Sequence, residues 1–179
     1  RGKRARVPSR TGAWVLEELG AKTISVPVTR IPQSMQRNMA TTALIPFNVQ
    51  PLLGLNQHIS SFTEGYEQTR FGSVVFQVSM NKDKWESLPP EIQAAFRKAS
   101  DENFLRRIGK LWREDEQRGV DLMTKFKREH IVLTKEETEA FRIKLEPVID
   151  KWVEDVKREG IDGRKLVNKA RKLIKKYEE

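Results

Sequence analysis

A short strand, a turn and a helix start follow one another at the beginning of the chain. Within residues 2–9, Arg4-Ala5-Arg6-Val7 alternates basic and apolar side chains, which predicts a short strand that carries Arg6. Residues 9–20 have apolar side chains at helical spacing and end on Gly20, a common helix terminator. The N–H groups of a helix start and a nearby guanidinium both bind anions. This segment therefore predicts an anion site at Arg6.

The rest of the first half alternates short strands with short helices. Apolar and β-branched runs predict strands over residues 23–28, 43–47, 59–62 and 71–80, and the last of these has the strongest pattern. A helix is predicted over residues 31–38, with a proline in its first turn. Such alternation is typical of an α/β sheet with crossover connections.

Helical periodicity dominates from residue 87 onward. Ser87 is the predicted N-cap of a long helix that continues to Phe126, with a weak point at Gly119. A short strand is predicted over residues 131–133. The second half therefore predicts one long helix and further C-terminal helices.

Helix boundary signals organise the C-terminal residues. Thr134 and Glu137 have the spacing of a capping box, which predicts a helix start. Pro147 should kink or divide that helix. Gly160 should end it, and Asp162 should cap a last helix that runs to about residue 177.

The net charge of +9 raises the possibility of a nucleic-acid partner. Residues 1–100 contain 13 Lys and Arg against 7 Asp and Glu, whereas residues 101–179 contain 21 against 18. The helical half is thus nearly balanced, which favours solvated helices with i,i+4 pairs and argues against nucleic acid. A basic helical nucleic-acid-binding or scaffolding protein remains the alternative function.

Candidate catalytic and metal-binding patterns are scarce in the sequence. The two histidines, His58 and His130, are far apart and have no metal-ligand spacing. The sequence has no cysteine, no phosphate-binding glycine loop and no G-x-S-x-G elbow. We therefore expect neither a metal nor another cofactor, and no enzymatic activity. An enzyme that supplies its base or nucleophile from outside these residues is a third alternative.

Several segments together resemble the solute-binding proteins of tripartite ATP-independent periplasmic (TRAP) transporters, the dicarboxylate-binding-protein family. The similar segments, in order, are residues 2–9, 31–37, 43–47, 78–85 and 88–93. The resemblance implies a periplasmic receptor in which two α/β lobes close over a small carboxylate and deliver it to TRAP membrane subunits. It implies no nucleic-acid partner.

The resemblance also implies a ligand-binding set. Arg6 lies where members of the family carry an arginine that pairs with the ligand carboxylate, although it could instead be a surface arginine of the strand. Ile45 and Phe47 lie where the family's cleft is lined, and core packing is the alternative for both. His58 and Phe71 are weaker candidates for the same cleft.

The resemblance divides the chain into two parts. Residues 1–75 would form the second ligand-binding lobe. Residues 76–179 would return to the first lobe and contain the long bracing helix and the C-terminal helices. Roughly 40% of such a two-lobed protein would precede residue 1, and the apolar face left open could make the truncated chain dimerise. Where the family has glycines and an Asp-Gly pair, this chain has Asn38 and Thr41-Thr42, which leaves the ligand class open.

Overall fold

The computed structural model describes residues 2–72 and 75–177, which divide into two compact units. The first unit contains the residues up to Ile45, Thr63–Thr69 and the residues from Ile131 onward. The second contains Pro46–Phe62 and Arg70–His130. The structure combines helices with a small three-stranded parallel sheet and a two-stranded sheet, which confirms the predicted α/β fold class.

Strands and helices alternate in the first part of the chain, and helices dominate the second. The strands are β1 (Arg4–Val7), β2 (Lys22–Ser25), β3 (Thr42–Ala43), β4 (Ser61–Glu64) and β5 (Glu129–Val132). The helices are α1 (Arg10–Glu18), α2 (Ile31–Gln36), α3 (Val49–Leu52), α4 (Lys82–Glu86), α5 (Pro90–Ala99), α6 (Glu102–Lys125), α7 (Lys135–Lys157) and α8 (Gly163–Tyr177).

The sheet of the first unit has the order β2-β1-β3, and β1 runs parallel to both neighbours. Parallel neighbours need crossover connections, which α1 and α2 provide. Because β1 is central, its apolar residues Ala5 and Val7 are 0% and 2% exposed. The carboxyl ends of all three strands lie at the same edge of this sheet, where α/β proteins place their ligands.

The strand–turn–helix prediction at the start of the chain is confirmed. Ser9 adopts extended backbone angles, and its side-chain oxygen accepts a hydrogen bond from the Gly12 N–H at 3.1 Å. This N-cap fixes where α1 begins. Gly20, with φ of 84°, follows the helix in the left-handed region that favours glycine.

The core of the second unit is aromatic. Phe47, Phe62 and Met123 form its buried cluster, with Ile59 and Val120 packed against them. The rings of Phe47 and Phe62 meet edge to face, with centroids 5.5 Å apart. Edge-to-face contacts are a favoured aromatic geometry. The pair links the segment before α3 to Phe62, and Met123 and Val120 of α6 belong to the same cluster.

The strand predicted over residues 71–80 is wrong for the part that the structure describes. Phe71, Gly72 and residues 75–80 form neither strand nor helix, and residues 73–74 lie outside the described residues. Val75 and Val78 are 89% and 102% exposed. Strand propensity reflects packing against neighbouring strands more than an intrinsic backbone preference, and no described strand pairs with this segment.

The predicted long helix from Ser87 to Phe126 is also wrong in two places. Ser87 is the C-cap of α4, a helix that the sequence analysis missed, and α5 starts at Pro90. A second break falls at Asp101, whose side chain accepts a hydrogen bond from the Phe104 N–H at 2.8 Å and so starts α6. Gly119 lies inside α6 without interrupting it.

Helix α7 starts at the predicted capping box. The Thr134 Oγ1 accepts from the Glu137 N–H at 3.1 Å, and a Glu137 carboxylate oxygen accepts from the Thr134 N–H at 2.9 Å. Pro147 lies inside this helix and does not divide it, so of the two predicted effects only a kink stays a prediction. The proline removes one backbone hydrogen bond, and α7 packs against α1 within the first unit.

Thr134→Ala should destabilise the chain by about 1 kcal/mol, because two backbone N–H groups would lose their reciprocal partners. Urea unfolding measures the effect. Glu136→Ala is the matched control, since it lies in the same turn and should cost only about 0.3 kcal/mol through the helix dipole. Equal losses in both variants would show that the capping box contributes nothing of its own.

Candidate functional site

Arg6 is a buried cation held in place by backbone carbonyl groups. It lies on the central strand β1 and is 6% exposed. Its Nε donates to the carbonyl oxygen of Val26 and its Nη1 to that of Leu44, both at 3.1 Å. These two contacts fix the plane of the guanidinium.

The guanidinium of Arg6 carries a charge that no carboxylate offsets within the described part of the chain. Its hydrogen bonds go to neutral carbonyls, and burial lowers the pKa of Arg6 from its usual value because desolvation penalises the charged form. Arginine nevertheless stays protonated in proteins. A buried charge of this kind strongly favours an anionic partner.

The second terminal nitrogen of Arg6, Nη2, is available to such a partner. It donates no hydrogen bond to any residue that the structure describes. It is also not among the fully buried, unpartnered side-chain atoms of that part of the chain, which are Asn48 Oδ1, Gln50 Oε1 and Arg128 Nε. Nη2 is therefore the terminal nitrogen that has no hydrogen-bond partner among the described residues.

The sheet topology explains why these groups meet. Val26 directly follows β2 and Leu44 directly follows β3. Both carbonyls therefore lie at the carboxyl edge of the sheet, and the chain from β1 enters α1 at the same edge. A helix N-terminus adds positive electrostatic potential there. This arrangement suits an anion such as a carboxylate.

The other predicted site residues are distributed over both units. Ile45 is half-buried and follows Leu44 in the first unit. Phe47 lies in the core of the second unit at 6% exposure, which shows its packing role. His58 is exposed and Phe71 is half-buried, both in the second unit. A ligand contact for any of these residues stays a prediction.

A polar network in the second unit was not anticipated from the sequence. The Asn48 side-chain amide donates to Asp115 at 3.1 Å, and its backbone N–H donates to Glu116 at 3.5 Å. Glu116 pairs with Arg70 at 3.6 Å, and the Arg70 guanidinium lies 4.8 Å from the centre of the Phe47 ring. The adjacent carboxylates Asp115 and Glu116 were the only sequence signal for this network.

The described residues contain neither a cluster of metal ligands nor a helix that could span a membrane. No group of His, Cys, Asp and Glu side chains among them could hold a metal ion. None of the helices formed by residues 2–72 and 75–177 combines the length and apolar character needed to cross a membrane.

Solved structures identify the class of protein to which this fold is similar, the TRAP solute-binding proteins. One from Rhodoferax ferrireducens, in complex with copurified benzoate, has a TM-score of 0.86 and 25% identity over 98% of this chain and 55% of that chain. A marine metagenome protein with 3-hydroxybenzoate has a TM-score of 0.88 and 22% identity, over 100% and 56% of the two chains. A protein from Bordetella bronchiseptica with bound mandelate has a TM-score of 0.80 and 20% identity, over 98% of this chain and 55% of that chain.

The chain belongs to family 7 of the bacterial extracellular solute-binding proteins (DctP), whose model matches residues 1–155. This match confirms the family resemblance found in the sequence. Members of the family are receptors rather than enzymes, so the predicted non-enzymatic role and periplasmic location are confirmed. The chain spans a little over half the length of the structures to which it is similar.

Proposed function

We propose that the protein binds a small organic carboxylate by lobe closure and delivers it to the membrane subunits of a TRAP transporter. Arg6 would bind the carboxylate group. Its guanidinium can donate two parallel hydrogen bonds to the two carboxylate oxygens, a geometry that gives both strength and orientation. Lobe closure would then exclude water and strengthen this contact.

The observation that carries the proposal is the buried guanidinium of Arg6 without an offsetting carboxylate. A protein gains little by burying a cation alone, because desolvation costs several kcal/mol. The contacts to Val26 and Leu44 orient the group but leave its charge uncompensated. An anionic ligand would offset that charge, which supports a role in binding rather than in stability.

The ligands of the similar structures support the same chemical class. Benzoate, 3-hydroxybenzoate and mandelate combine an aromatic ring with a carboxylate. A further similar structure, from Sulfitobacter, has bound β-D-galacturonate, which has a carboxylate but no aromatic ring. The carboxylate is the chemical group that these ligands share, so we extend only this group to the present chain.

The remaining contacts follow from the sequence and are part of the proposal. Ile45 and Phe47 would contact the apolar part of the ligand, and His58 and Phe71 would complete the set. Residues 1–75 would contribute the second lobe, and residues 76–179 would complete the first. Dimerisation of residues 1–179 stays a prediction that size-exclusion chromatography can test.

The experiment compares matched charged and neutral ligands on the complete protein, with isothermal titration calorimetry for affinity and urea unfolding for stabilisation. Benzoate and galacturonate represent the acids, and benzamide is the neutral isostere of benzoate. An acid present at about 100 times its Kd should raise the free energy of unfolding by about 2.7 kcal/mol. Benzamide should produce no measurable stabilisation.

Two results would contradict the proposal. Equal affinity for benzoate and benzamide would show that the carboxylate charge is not recognised. Failure of a broad panel of aromatic, sugar and dicarboxylic acids to bind would reject the ligand class. Delivery is tested separately, because uptake by the reconstituted transporter should then require this protein.

A further inference from the structure

The last helix, α8, is unusually basic. Residues 163–177 contain seven Lys and Arg and no Asp or Glu, followed in sequence by Glu178 and Glu179. Positions i, i+4, i+7 and i+11 of a helix share one side, since a turn takes 3.6 residues. One such row consists of Lys165, Lys169, Lys172 and Lys176, and the adjacent row consists of Leu166, Ala170, Leu173 and Tyr177.

A third row of α8 faces α7 and is neutralised there. Arg164 pairs with Asp150, and Arg171 pairs with Glu146 at 3.0 Å. Gly163 is buried against α7, where an added Cβ would lie 2.7 Å from a Val156 methyl group. These contacts fix the rotation of α8 within the first unit, so the lysine row and the apolar row are directed away from them.

Both outward rows are accessible. Leu166, Leu173 and Tyr177 are 47%, 44% and 57% exposed. None of the four lysines of the outward row forms an ion pair with a residue in the described ranges, whereas the two arginines of the third row both do. Among the residues that the structure describes, no carboxylate therefore offsets the charge of this lysine row.

We propose that α8 docks the protein onto a bilayer surface that contains anionic lipid headgroups. A row of lysines beside an apolar row is the pattern of helices that lie in the membrane interface. Lysine stems can lie along the apolar boundary while their ammonium groups reach the lipid phosphates. Tyr177 suits the same boundary because its ring is apolar and its hydroxyl is polar.

Charge and apolarity together favour a bilayer over other anionic partners. An acidic protein segment or a nucleic acid would satisfy the lysine row but leave Leu166 and Leu173 in water. A bilayer satisfies both rows at once. The proposal goes beyond carboxylate binding, because it needs no ligand and involves none of the residues around Arg6.

The experiment is vesicle cosedimentation of the complete protein. The vesicles are phosphatidylcholine alone or phosphatidylcholine mixed with phosphatidylglycerol. We expect binding only to the mixed vesicles, and this binding should weaken with added salt. The variant Lys165→Gln/Lys169→Gln/Lys172→Gln should lose about a hundredfold in affinity, since each lysine near an anionic surface contributes roughly 1 kcal/mol.

A matched control removes the same charge elsewhere. Lys98, Lys125 and Lys127 are exposed residues of the second unit, so their triple glutamine variant should bind mixed vesicles nearly as the parent does. Leu173→Ser should weaken binding without changing the net charge. Carboxylate affinity should be unchanged in all three variants, which separates this proposal from the proposed function.

Three outcomes would overturn the docking proposal. The first is equal loss of binding in both triple variants, which would indicate a general charge effect. The second is equal binding to neutral and anionic vesicles. The third is lysine-dependent binding to purified transporter subunits in neutral lipid without binding to phosphatidylglycerol vesicles, which would assign α8 to a protein partner.

Discussion

Arg6→Ala in the complete protein should weaken carboxylate binding by about 2–5 kcal/mol, because a desolvated anion would lose its charged partner. This loss corresponds to roughly thirty-fold to several thousand-fold in Kd. Arg6→Lys should recover only part of it, because an ammonium group retains the charge but lacks the planar fork that donates two parallel hydrogen bonds. Isothermal titration calorimetry with benzoate or galacturonate measures both variants.

A control on the same strand separates this role from a general effect of charge. Arg4 also lies on β1 but is exposed, and its guanidinium donates to the carbonyl oxygen of Asn38. Arg4→Ala removes the same charge and should leave affinity within a few-fold. If Arg6→Ala binds as tightly as Arg4→Ala, Arg6 is not the carboxylate-binding residue.

Folding must be checked in the same variants, because Arg6 also bonds two carbonyl groups. Loss of its side chain would leave the oxygens of Val26 and Leu44 without these donors. Each such loss costs about 1 kcal/mol where water can replace the donor. Circular dichroism and the urea midpoint should therefore show a folded variant whose binding loss exceeds its stability loss.

The start of the site was predictable from the sequence because its signals are local. Ser9 caps α1 three residues before Gly12, and the alternation around Arg6 gives β1. The partners of Arg6 were not predictable in the same way. Val26 and Leu44 lie 20 and 38 positions away, and only the parallel register of the sheet brings their carbonyls to the guanidinium.

For residues 71–80, in contrast, the sequence predicts a strand that the described residues do not form. Their β-branched and aromatic composition predicts a strand, but a strand is stabilised by neighbours that composition does not specify. The prediction of one long helix is wrong for a local reason instead. Asp101 offers its carboxylate to the backbone, as aspartate does at helix starts, and this cap outweighs the continuing apolar period.

The net charge of residues 101–179 does not reveal how basic α8 is, because it averages over a segment much longer than the helix. Residues 101–179 are nearly balanced, yet most of their acidic side chains lie in α6 and α7, whereas residues 163–177 have none. Glu146 and Asp150 on α7 neutralise only one side of α8. The periodic row of lysines became informative only when the structure showed which side of the helix contacts α7.

Gly119→Ala should destabilise the second unit, because α6 approaches the polypeptide before α3 too closely for any side chain. A Cβ at this position would lie 2.4 Å from the carbonyl oxygen of Phe47 and 2.9 Å from the backbone nitrogen of Asn48. Both atoms are backbone and cannot rotate away. We expect overpacking of about 3 kcal/mol, offset by about 1 kcal/mol of helix propensity gained from alanine.

The matched control is Gly109→Ala in the same helix. No atom lies within 4 Å of a Cβ at Gly109, so the same substitution should stabilise α6 by up to about 1 kcal/mol. The free energy of unfolding measured in urea should therefore fall for Gly119→Ala and rise for Gly109→Ala. If both become more stable, the close approach of Gly119 to Phe47 is absent in solution, and α6 does not hold this segment. Opposite shifts would mean that glycine at position 119 fixes the backbone that carries Phe47 and Asn48.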